Sequence, residues 1–338
     1  MKVFILLSTI FLFAAIAEAQ WQKQTVNTKA SLRGLSVVNE KIIWASGTGG
    51  TFLRTIDGGK NWKVGKVPDA EKLDFRDVEA FDANTAYLLS IGNGETSRIY
   101  KTVDGGTTWK LQFKNDNPNV FLDAFAFWDK THGIAMSDPV GGKYLLLETT
   151  DGETWKFLDN TQMPNAKDGE AAFAASGTCL ITQGKNNVFL VTGGNEARVF
   201  RSNNRGLSWT ISQTPIVKGT AGSGIFSIAM IDEKTGVVVG GNYEKPNEIT
   251  NNFAFTKDGG KTWESNKGLN GYRSSVAIIS KSILIAVGSS GSDVSFDGGN
   301  RWKSFGKENL NSVQAKGTTV WAVGADGLVA KTTLSIKW

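Results

Sequence analysis

Histidine, cysteine and proline are scarce in this chain of 338 residues, which contains 1 His, 1 Cys and 6 Pro. A single cysteine cannot form an intramolecular disulfide, an iron–sulfur cluster or a cysteine zinc site. A single histidine, His132, cannot supply a metal site of two or three imidazoles. We therefore expect no metal and no cofactor, and any chemistry has to rely on Arg, Tyr and carboxylate side chains.

The chain also has no large excess of charge of either sign, since it contains 37 Lys and Arg and 32 Asp and Glu, a formal net charge of +5. The basic residues are spread thinly, and no run of them is typical of a surface that binds nucleic acid or anionic lipid. We expect no nucleic-acid partner.

Residues 1–19 have the three-part pattern of a secretory signal peptide. Lys2 gives a positive start, Val3 to Ile16 form an apolar run, and Ala17-Glu18-Ala19 is a cleavage site of small residues. The apolar run is shorter than the about 20 residues that span a bilayer, and no later segment is long and apolar enough to do so. We expect a mature chain that begins at Gln20 and is exported, to the periplasm or the extracellular space, with no membrane span.

Glycine and tryptophan, in contrast, are abundant, with 39 Gly and 11 Trp, and many of them fall in one repeated turn. The segment Thr55-Ile56-Asp57-Gly58-Gly59-Lys60-Asn61-Trp62 recurs with small changes along the chain. Its Asp accepts hydrogen bonds from the following amides, its Gly supplies positive φ, and its Trp begins the next strand. Because six similar turns cannot all be active sites, we assign them a structural role. The residues concerned are Asp57, Asp104, Asp151, Asn204, Asp258 and Asp297, with Trp62, Trp109, Trp155, Trp209, Trp263 and Trp302.

The tryptophans of this pattern, from Trp21 to Trp338, are 36 to 54 residues apart, which is the length of one four-stranded propeller blade. No strand follows Trp338, whereas residues 21–26 form a strand with no hairpin before it. The pattern predicts an all-β, seven-bladed β-propeller, a single domain over residues 20–338, whose N-terminal strand completes the last blade and closes the ring. We expect a monomer.

The Ser/Thr-x-Asp-x-Gly-x-Thr-Trp turn resembles the Asp-box, or BNR repeat, of sialidases and other propellers. With seven blades and the form Thr-x-Asp-Gly-Gly-x-x-Trp, the chain is most similar to the family of the photosystem II assembly factors Ycf48 and Hcf136 and their relatives in non-photosynthetic bacteria. The resemblance implies the fold and no particular activity, because Asp-box propellers include hydrolases, receptors and assembly factors.

Segments outside the turns resemble the exported bacterial branch of that family. They are Met136-Ser137-Asp138-Pro139, Gly142-Lys143, Phe173-Ala174-Ala175-Ser176-Gly177-Thr178, Gly193-Gly194, Ala197-Arg198-Val199-Phe200-Arg201, Gly240-Gly241-Asn242-Tyr243, Lys245-Pro246 and Gly271-Tyr272-Arg273-Ser274. We expect these segments in loops at the face opposite the Asp-box turns, around the central channel.

The starts of the innermost strands supply an arginine cluster. Their alignment places Arg33, Arg76 and Arg273 at equivalent positions of blades 1, 2 and 6, and Glu170 is a candidate for that position in blade 4. Three guanidiniums at one channel mouth would bind a carboxylate or phosphate bidentately. The alternative is that each Arg pairs with a nearby acid, such as Asp77 or Asp123, and joins adjacent blades.

Loops between the second and third strands add further candidates. A carboxylate, a Tyr and an Arg cluster are what a sialidase needs as acid/base, nucleophile and substrate clamp. The candidate catalytic residues are therefore Asp138, Tyr243 and Glu170, and the candidate ligand-binding residues are Arg33, Arg76, Arg273, Asn242, Lys143 and Arg198. Sialidases, however, have six blades and an Arg-Ile-Pro motif, and this chain has neither.

Three functional hypotheses follow. The first is an exported, non-catalytic propeller that binds a protein partner or a small anionic ligand at its channel face and supports assembly or stability of an envelope complex. The second is a hydrolase or lyase of acidic glycans that uses the same loops. The third is an oxidoreductase, the label often given to members of the family, although the sequence has no dinucleotide fingerprint, flavin motif or metal cluster.

Overall fold

A computed structural model describes residues 20–266 and 268–335, and it is an all-β, seven-bladed propeller. The expected signal peptide, residues 1–19, and Trp338 lie outside the described residues. Six blades are four-stranded antiparallel sheets. Blade 5 has three strands and a bridge between Phe255 and Glu264 at its outer edge, and the short strands Gly193–Gly194 and Glu170–Ala171 extend its sheet at the inner edge. Two short 3₁₀ helices, Gly94–Thr96 and Ala325–Gly327, complete the secondary structure.

The strands run from the channel outwards in each blade. Those of blades 1 to 3 are Leu32–Val37, Ile43–Gly47, Thr51–Thr55 and Lys63–Lys66; Phe75–Ala80, Ala86–Ser90, Arg98–Thr102 and Lys110–Lys114; and Leu122–Phe127, Gly133–Val140, Lys143–Thr149 and Lys156–Phe157. Those of blades 4 and 5 are Leu180–Gln183, Asn187–Val191, Arg198–Ser202 and Thr210–Gln213; and Ser223–Met230, Gly236–Asn242 and Phe253–Thr256. Those of blades 6 and 7 are Ser275–Ile278, Leu284–Gly288, Gly291–Ser295 and Lys303–Gly306; and Leu310–Lys316, Thr319–Gly324, Val329–Thr333 and Gln22–Gln24.

The N-terminal strand closes the ring, as predicted. Gln22–Gln24 pairs antiparallel with Val329–Thr333 as the outermost strand of blade 7. Trp21 anchors this strand, since its indole Nε1 donates a hydrogen bond of 2.9 Å to Ser292 Oγ of blade 6. The closure pairs the outer edge of the last blade, which would otherwise be open to another chain.

The six Asp-box turns share one hydrogen-bonding pattern. In blade 1, Thr55 Oγ1 donates to Asp57 Oδ1 over 2.8 Å, and the amides of Gly59 and Asn61 donate to Thr55 Oγ1 and Asp57 Oδ1. Bonds from the Asn61 amide, which favour the carboxylate, lower the pKa of Asp57 to about 2. These carboxylates are thus bonded within their own turns, as their structural assignment requires.

Several Asp-box tryptophans join neighbouring blades. The ring of Trp109, from the turn of blade 2, lies 5.2 Å from that of Phe52 in blade 1. Trp62, from blade 1, packs edge-on at 5.7 Å against Trp321 of blade 7, and that contact crosses the ring closure. Aromatic pairs of this geometry stabilise by about 1 kcal/mol beyond the area that they bury.

The alternating strand directions divide the loops between two faces. The Asp-box turns lie beside the turns that join the first and second strands, as the bond of 3.0 Å from the Gly58 amide to the Lys41 carbonyl shows. The starts of the innermost strands and the loops between second and third strands lie at the opposite face, which we call the channel face.

Candidate functional site

A β-bulge at the start of the innermost strand recurs in blades 1, 2, 3, 5 and 7. In each, the pairing with the second strand skips one residue, so that its side chain is aimed at the channel instead of into the sheet. The skipped residues are Arg33, Arg76, Asp123, Phe226 and Asn311. All five line one cavity of about 520 Å³ at the channel face.

A segment before blade 4 closes the channel beneath this cavity. Residues 172–178, which we call the plug, cross from the short strand Glu170–Ala171 to the innermost strand of blade 4. Ser176 Oγ donates to the carbonyl of Ser274 in blade 6, and Ser312 of blade 7 donates to the carbonyl of Ser176. The plug therefore bonds to blades on the far side of the ring.

Gly177 shows how tightly the plug fits. Its φ is +78°, and a Cβ built on it would lie 2.3 Å from the Asp77 carboxylate of blade 2. Asp77 itself is buried and accepts hydrogen bonds from the amides of Val78 and Phe125. Only glycine combines this conformation with this approach.

Arg33 and Arg76 both reach the cavity, and both are bonded to the plug. Arg33 Nη1 donates to the Ala175 carbonyl over 3.1 Å, and Arg76 Nη1 donates to the Ala174 carbonyl over 3.2 Å. Arg76 also pairs through Nε with Asp74 at 2.8 Å. Burial, and then the positive charge of Arg76, lower the pKa of Arg33.

Two carboxylates of blade 3, Asp123 and Asp138, share the cavity with these arginines. Asp123 is 1% exposed, and its Oδ2 is buried without a hydrogen-bond partner. Asp138 Oδ1 accepts a bond of 2.8 Å from the plug amide of Ala172. Burial raises the pKa of Asp138 to about 6, and burial together with the charge of Asp138 raises that of Asp123 well above its usual value.

Aromatic rings form the opposite wall of the cavity. Phe173 of the plug stacks on Phe226 of blade 5, with centroids 3.9 Å apart. Tyr243, 48% exposed, stands edge-on to both rings, and Tyr272 packs edge-on against Phe226 at 4.7 Å. One half of the cavity is thus charged and the other half is aromatic.

The expected convergence of three arginines is wrong for Arg273. It is 2% exposed and pairs with the fully buried Asp293 of its own blade, Nη2 to Oδ2 over 2.7 Å. The turn between the first and second strands has the same length in blades 1 and 6, because Val37 pairs with Ile43 and Ile278 pairs with Leu284. Counted back from this turn, Arg273 aligns with Leu32, and Ser274 takes the position of Arg33. The alternative reading, an Arg that pairs with a nearby acid, applies here.

Four other candidates do not line the cavity either. Glu170 and Arg198 form a buried ion pair with each other, and Thr178 rather than Glu170 precedes the innermost strand of blade 4 at the equivalent position. Lys143 Nζ donates to the carbonyls of Asn160 and Thr161. The fourth, Asn242, is 6% exposed, and its Oδ1 accepts a bond from the Glu244 amide within its own loop.

The sequence reasoning aligned Asp123 with the arginines and placed residues 173–178 at the channel face, but it did not assign Asp123 as a ligand-binding residue or the segment as a plug. Asp123 occupies the bulge position of Arg33 and Arg76, so the same alignment could have assigned it to the cavity. The plug interrupts the repeat and has no second copy, so the sequence indicates its place at the channel face but not that it closes the channel.

A second, smaller cavity of about 190 Å³ lies in the channel beneath the plug, lined by Asp77, Glu79, Gly177 and Gln314 among others. Burial, and next the charge of Asp77, raise the pKa of Glu79 to about 8. Across residues 20–266 and 268–335, no group of three or more His, Cys, Asp or Glu side chains is placed to hold a metal ion. In the same residues no helix has the length and apolar character needed to cross a membrane.

Comparison with known proteins agrees with this architecture. A family model described as "Photosynthesis system II assembly factor YCF48" matches residues 13–118. No curated protein matches the sequence significantly.

Solved structures match over nearly the whole chain. YCF48 bound to D1 peptide superposes with a TM-score of 0.67 at 14% identity, covering 93% of this chain and 97% of that one. YCF48 from Cyanidioschyzon merolae gives 0.62 at 19% identity, covering 93% and 99%.

A catalytically inactive virginiamycin B lyase from Staphylococcus aureus, with quinupristin, gives a TM-score of 0.68 at 12% identity, covering 94% of this chain and 100% of that one. At these identities the solved structures are evidence for the fold alone. The chain is thus similar to the YCF48 family over residues 13–118, and over most of its length it shares the β-propeller fold of these solved structures.

Proposed function

We propose that this propeller is an exported, non-catalytic binding protein, which receives a segment of a protein partner in its channel-face cavity and supports the assembly or stability of an envelope complex. The observation that carries the proposal is the cavity itself. The plug closes it below and its mouth is open to solvent, so that it suits a chain lying across the face. A Ycf48 structure with a bound peptide gives a precedent in the same fold.

The residues of the cavity favour binding over catalysis. Tyr243, the candidate nucleophile, packs by its ring against Phe173 and Phe226 as part of a wall. Arg33 and Arg76, the candidate substrate clamp, are bonded to plug carbonyls. A sialidase-like reaction needs an arginine clamp whose guanidiniums are available to the substrate carboxylate, and here the plug carbonyls already hold part of both guanidiniums.

Site-specific photocrosslinking in the native host tests the binding role. A photoreactive residue at Tyr243 samples the channel face, and one at Ile56, 54% exposed in an Asp-box turn, samples the opposite face. We expect one envelope protein to crosslink reproducibly from Tyr243 and not from Ile56. Equal recovery from both positions, or no recovery from either, would overturn the proposal.

Two further measurements test its other parts. Fractionation with N-terminal sequencing should find the mature chain outside the cytoplasm, beginning at Gln20. On a panel of sialosides and polyuronides we expect no turnover. Turnover that Asp138→Asn abolishes would establish the hydrolase or lyase hypothesis instead.

A further inference from the structure

We propose that the channel-face cavity recognises a primary ammonium group, presented by a lysine side chain or by the amino terminus of the bound segment. This inference rests on the proposed function, and it specifies the chemistry of the group that the cavity receives. It replaces the anionic ligand that an arginine cluster would favour.

The charges around the cavity leave an acidic excess. Arg33 and Arg76 are the cations, whereas Asp123 and Asp138 line the cavity and Asp74 pairs with Arg76. Three carboxylates stand against two guanidiniums, but burial raises the pKa of Asp123 well above its usual value, so its carboxyl is protonated while no further cation is near. A bound ammonium group supplies the positive charge that allows Asp123 to ionise, whereas a phosphate or carboxylate ligand disfavours that ionisation.

Open hydrogen-bonding capacity lies on the acidic side chains. Asp123 Oδ2 is buried in the cavity lining and accepts no bond. Asp74 Oδ1 is also buried without a partner, but Asp74 is not part of the lining. A buried carboxylate oxygen without a donor is costly, and a ligand that donates to it recovers that cost. Arg33 and Arg76 each donate one bond to a plug carbonyl, and Arg76 donates a second to Asp74, so the plug and Asp74 use part of their donor capacity.

The aromatic wall suits the rest of such a ligand. Phe173, Phe226, Tyr243 and Tyr272 offer apolar surface to a methylene stem, and the faces of aromatic rings attract cations. A lysine side chain laid along this wall presents its ammonium to Asp123 and Asp138 on the opposite side. A leucine side chain suits the aromatic half of the cavity alone, and a serine or glutamate side chain suits the charged half alone.

Calorimetric titration of the mature chain with small probes tests the inference without knowledge of the partner. The probes are N-acetyl-lysine methylamide for the side-chain ammonium, glycine methylamide for the terminal ammonium, Nα,Nε-diacetyl-lysine methylamide as the neutral match, and N-acetyl-glutamate methylamide as the anion. We expect one of the two ammonium probes to bind saturably, and the neutral and anionic probes to bind at least about tenfold more weakly. Which ammonium probe binds more tightly distinguishes a lysine from an amino terminus.

Variants locate the binding. Asp123→Asn and Asp138→Asn should each weaken the ammonium probe by about tenfold or more and leave any residual binding of the neutral probe unchanged. Glu40→Gln, an exposed carboxylate in the turn between the first two strands of blade 1, is the matched control and should change nothing. Circular dichroism checks that each variant is folded, and the probe series on the unaltered chain needs no variant.

Each remaining outcome contradicts the proposed recognition of an ammonium group. Equal affinity for the neutral probe, stronger binding of the anion, or no saturable binding of either ammonium probe overturns this inference. The crosslink from Tyr243 can still succeed in that case, and the proposed function then stands with another ligand group. Loss of the crosslink with retained ammonium binding would leave the cavity as a receptor for a small amine.

Discussion

Phe173 of the plug lies flat on Phe226 of blade 5, with ring centroids 3.9 Å apart and planes within 1° of parallel. This contact fixes the end of the plug nearest the cavity mouth. The next residues, Ala174 and Ala175, then present their carbonyls to Arg76 and Arg33. The stack therefore positions both the aromatic wall and the guanidiniums of the cavity.

Removal of the stacked ring should loosen the plug without unfolding the propeller. We expect Phe173→Ala to lower the free energy of unfolding by roughly 1–2 kcal/mol, since the ring is only partly buried. Hydrogen exchange of residues 172–178 should accelerate, because bonds such as that from the Ala172 amide to Asp138 depend on the position of the plug. Phe157→Ala, at a ring that is 49% exposed on the outer strand of blade 3, is the control. Unchanged exchange in the plug would show that the stack does not hold it.

The Asp-box turns should contribute stability that disappears in acid. The pKa of Asp57 is lowered to about 2, chiefly by the bond from the Asn61 amide. The folded state therefore binds the proton less readily than the unfolded chain does, and the stabilisation is complete above pH about 4 and lost as the pH falls towards 2. We expect Asp57→Ala to lower Tm by roughly 2 °C at pH 7 and by much less at pH 2.5.

Asp57→Asn is the matched variant for that turn, because Asn204 serves in the same position of blade 4 and accepts a bond from the Ser208 amide. It should retain most of the Tm at pH 7. Thermal melts by circular dichroism over this pH range make the comparison. A loss of Tm with Asp57→Ala that is the same at both pH values would contradict the assigned role of the carboxylate.

Glu79, in the channel beneath the plug, should act in the opposite direction. Burial and the charge of Asp77 raise its pKa to about 8, so the folded state holds a proton that the unfolded chain releases above pH about 4.5. Stability is lost as the pH rises through this window, and glutamine imitates the protonated form. We expect Glu79→Gln to leave Tm unchanged at pH 4.5 and to raise it by roughly 2–4 °C at pH 9.

Asp77 lines the same cavity as Glu79, and burial raises its pKa to about 7. It therefore contributes to the pH dependence of stability in the unaltered protein and in the Glu79→Gln variant alike. Glu40→Gln, with an exposed carboxylate, serves as the control at each pH. A Tm difference that does not grow between pH 4.5 and pH 9 would show that Glu79 is ionised in the fold without penalty.

The fold could be predicted because each copy of the Asp-box determines a local structure and the copies are regularly spaced. Thr55, Asp57 and Gly59 suffice to close a turn, and Trp62 marks the strand that follows. The ring closure followed from an unpaired strand at one end and a missing strand at the other. Both inferences depend only on local hydrogen bonds and chain length.

The site was predictable only where the blades keep the common register. Arg33 and Arg76 follow the repeat, and they reach the cavity that the alignment predicts. Arg273 was placed one residue out of register, because the loop before blade 6 differs in length and only the turn after the strand keeps the spacing. The plug depends on contacts between residues far apart in sequence, such as Ser176 with Ser274, for which no local pattern exists.

The corrected register yields the last prediction. Arg273 and Asp293 of blade 6 occupy the positions that Leu32 and Leu53 hold in blade 1, so a buried ion pair replaces an apolar pair in the same architecture. Arg273→Leu alone leaves the Asp293 carboxylate buried without its cation and should cost about 3–5 kcal/mol. The double variant Arg273→Leu/Asp293→Leu restores the blade 1 pair, and we expect its stability to be within about 1 kcal/mol of the unaltered protein. Urea unfolding of Arg273→Leu, Asp293→Leu and the double variant measures the coupling free energy between the two side chains. Additive losses in the double variant would contradict this prediction. They would assign the cost to other bonds, those of Arg273 to the Tyr272 carbonyl and Ser290 Oγ and those of Asn270 to Asp293.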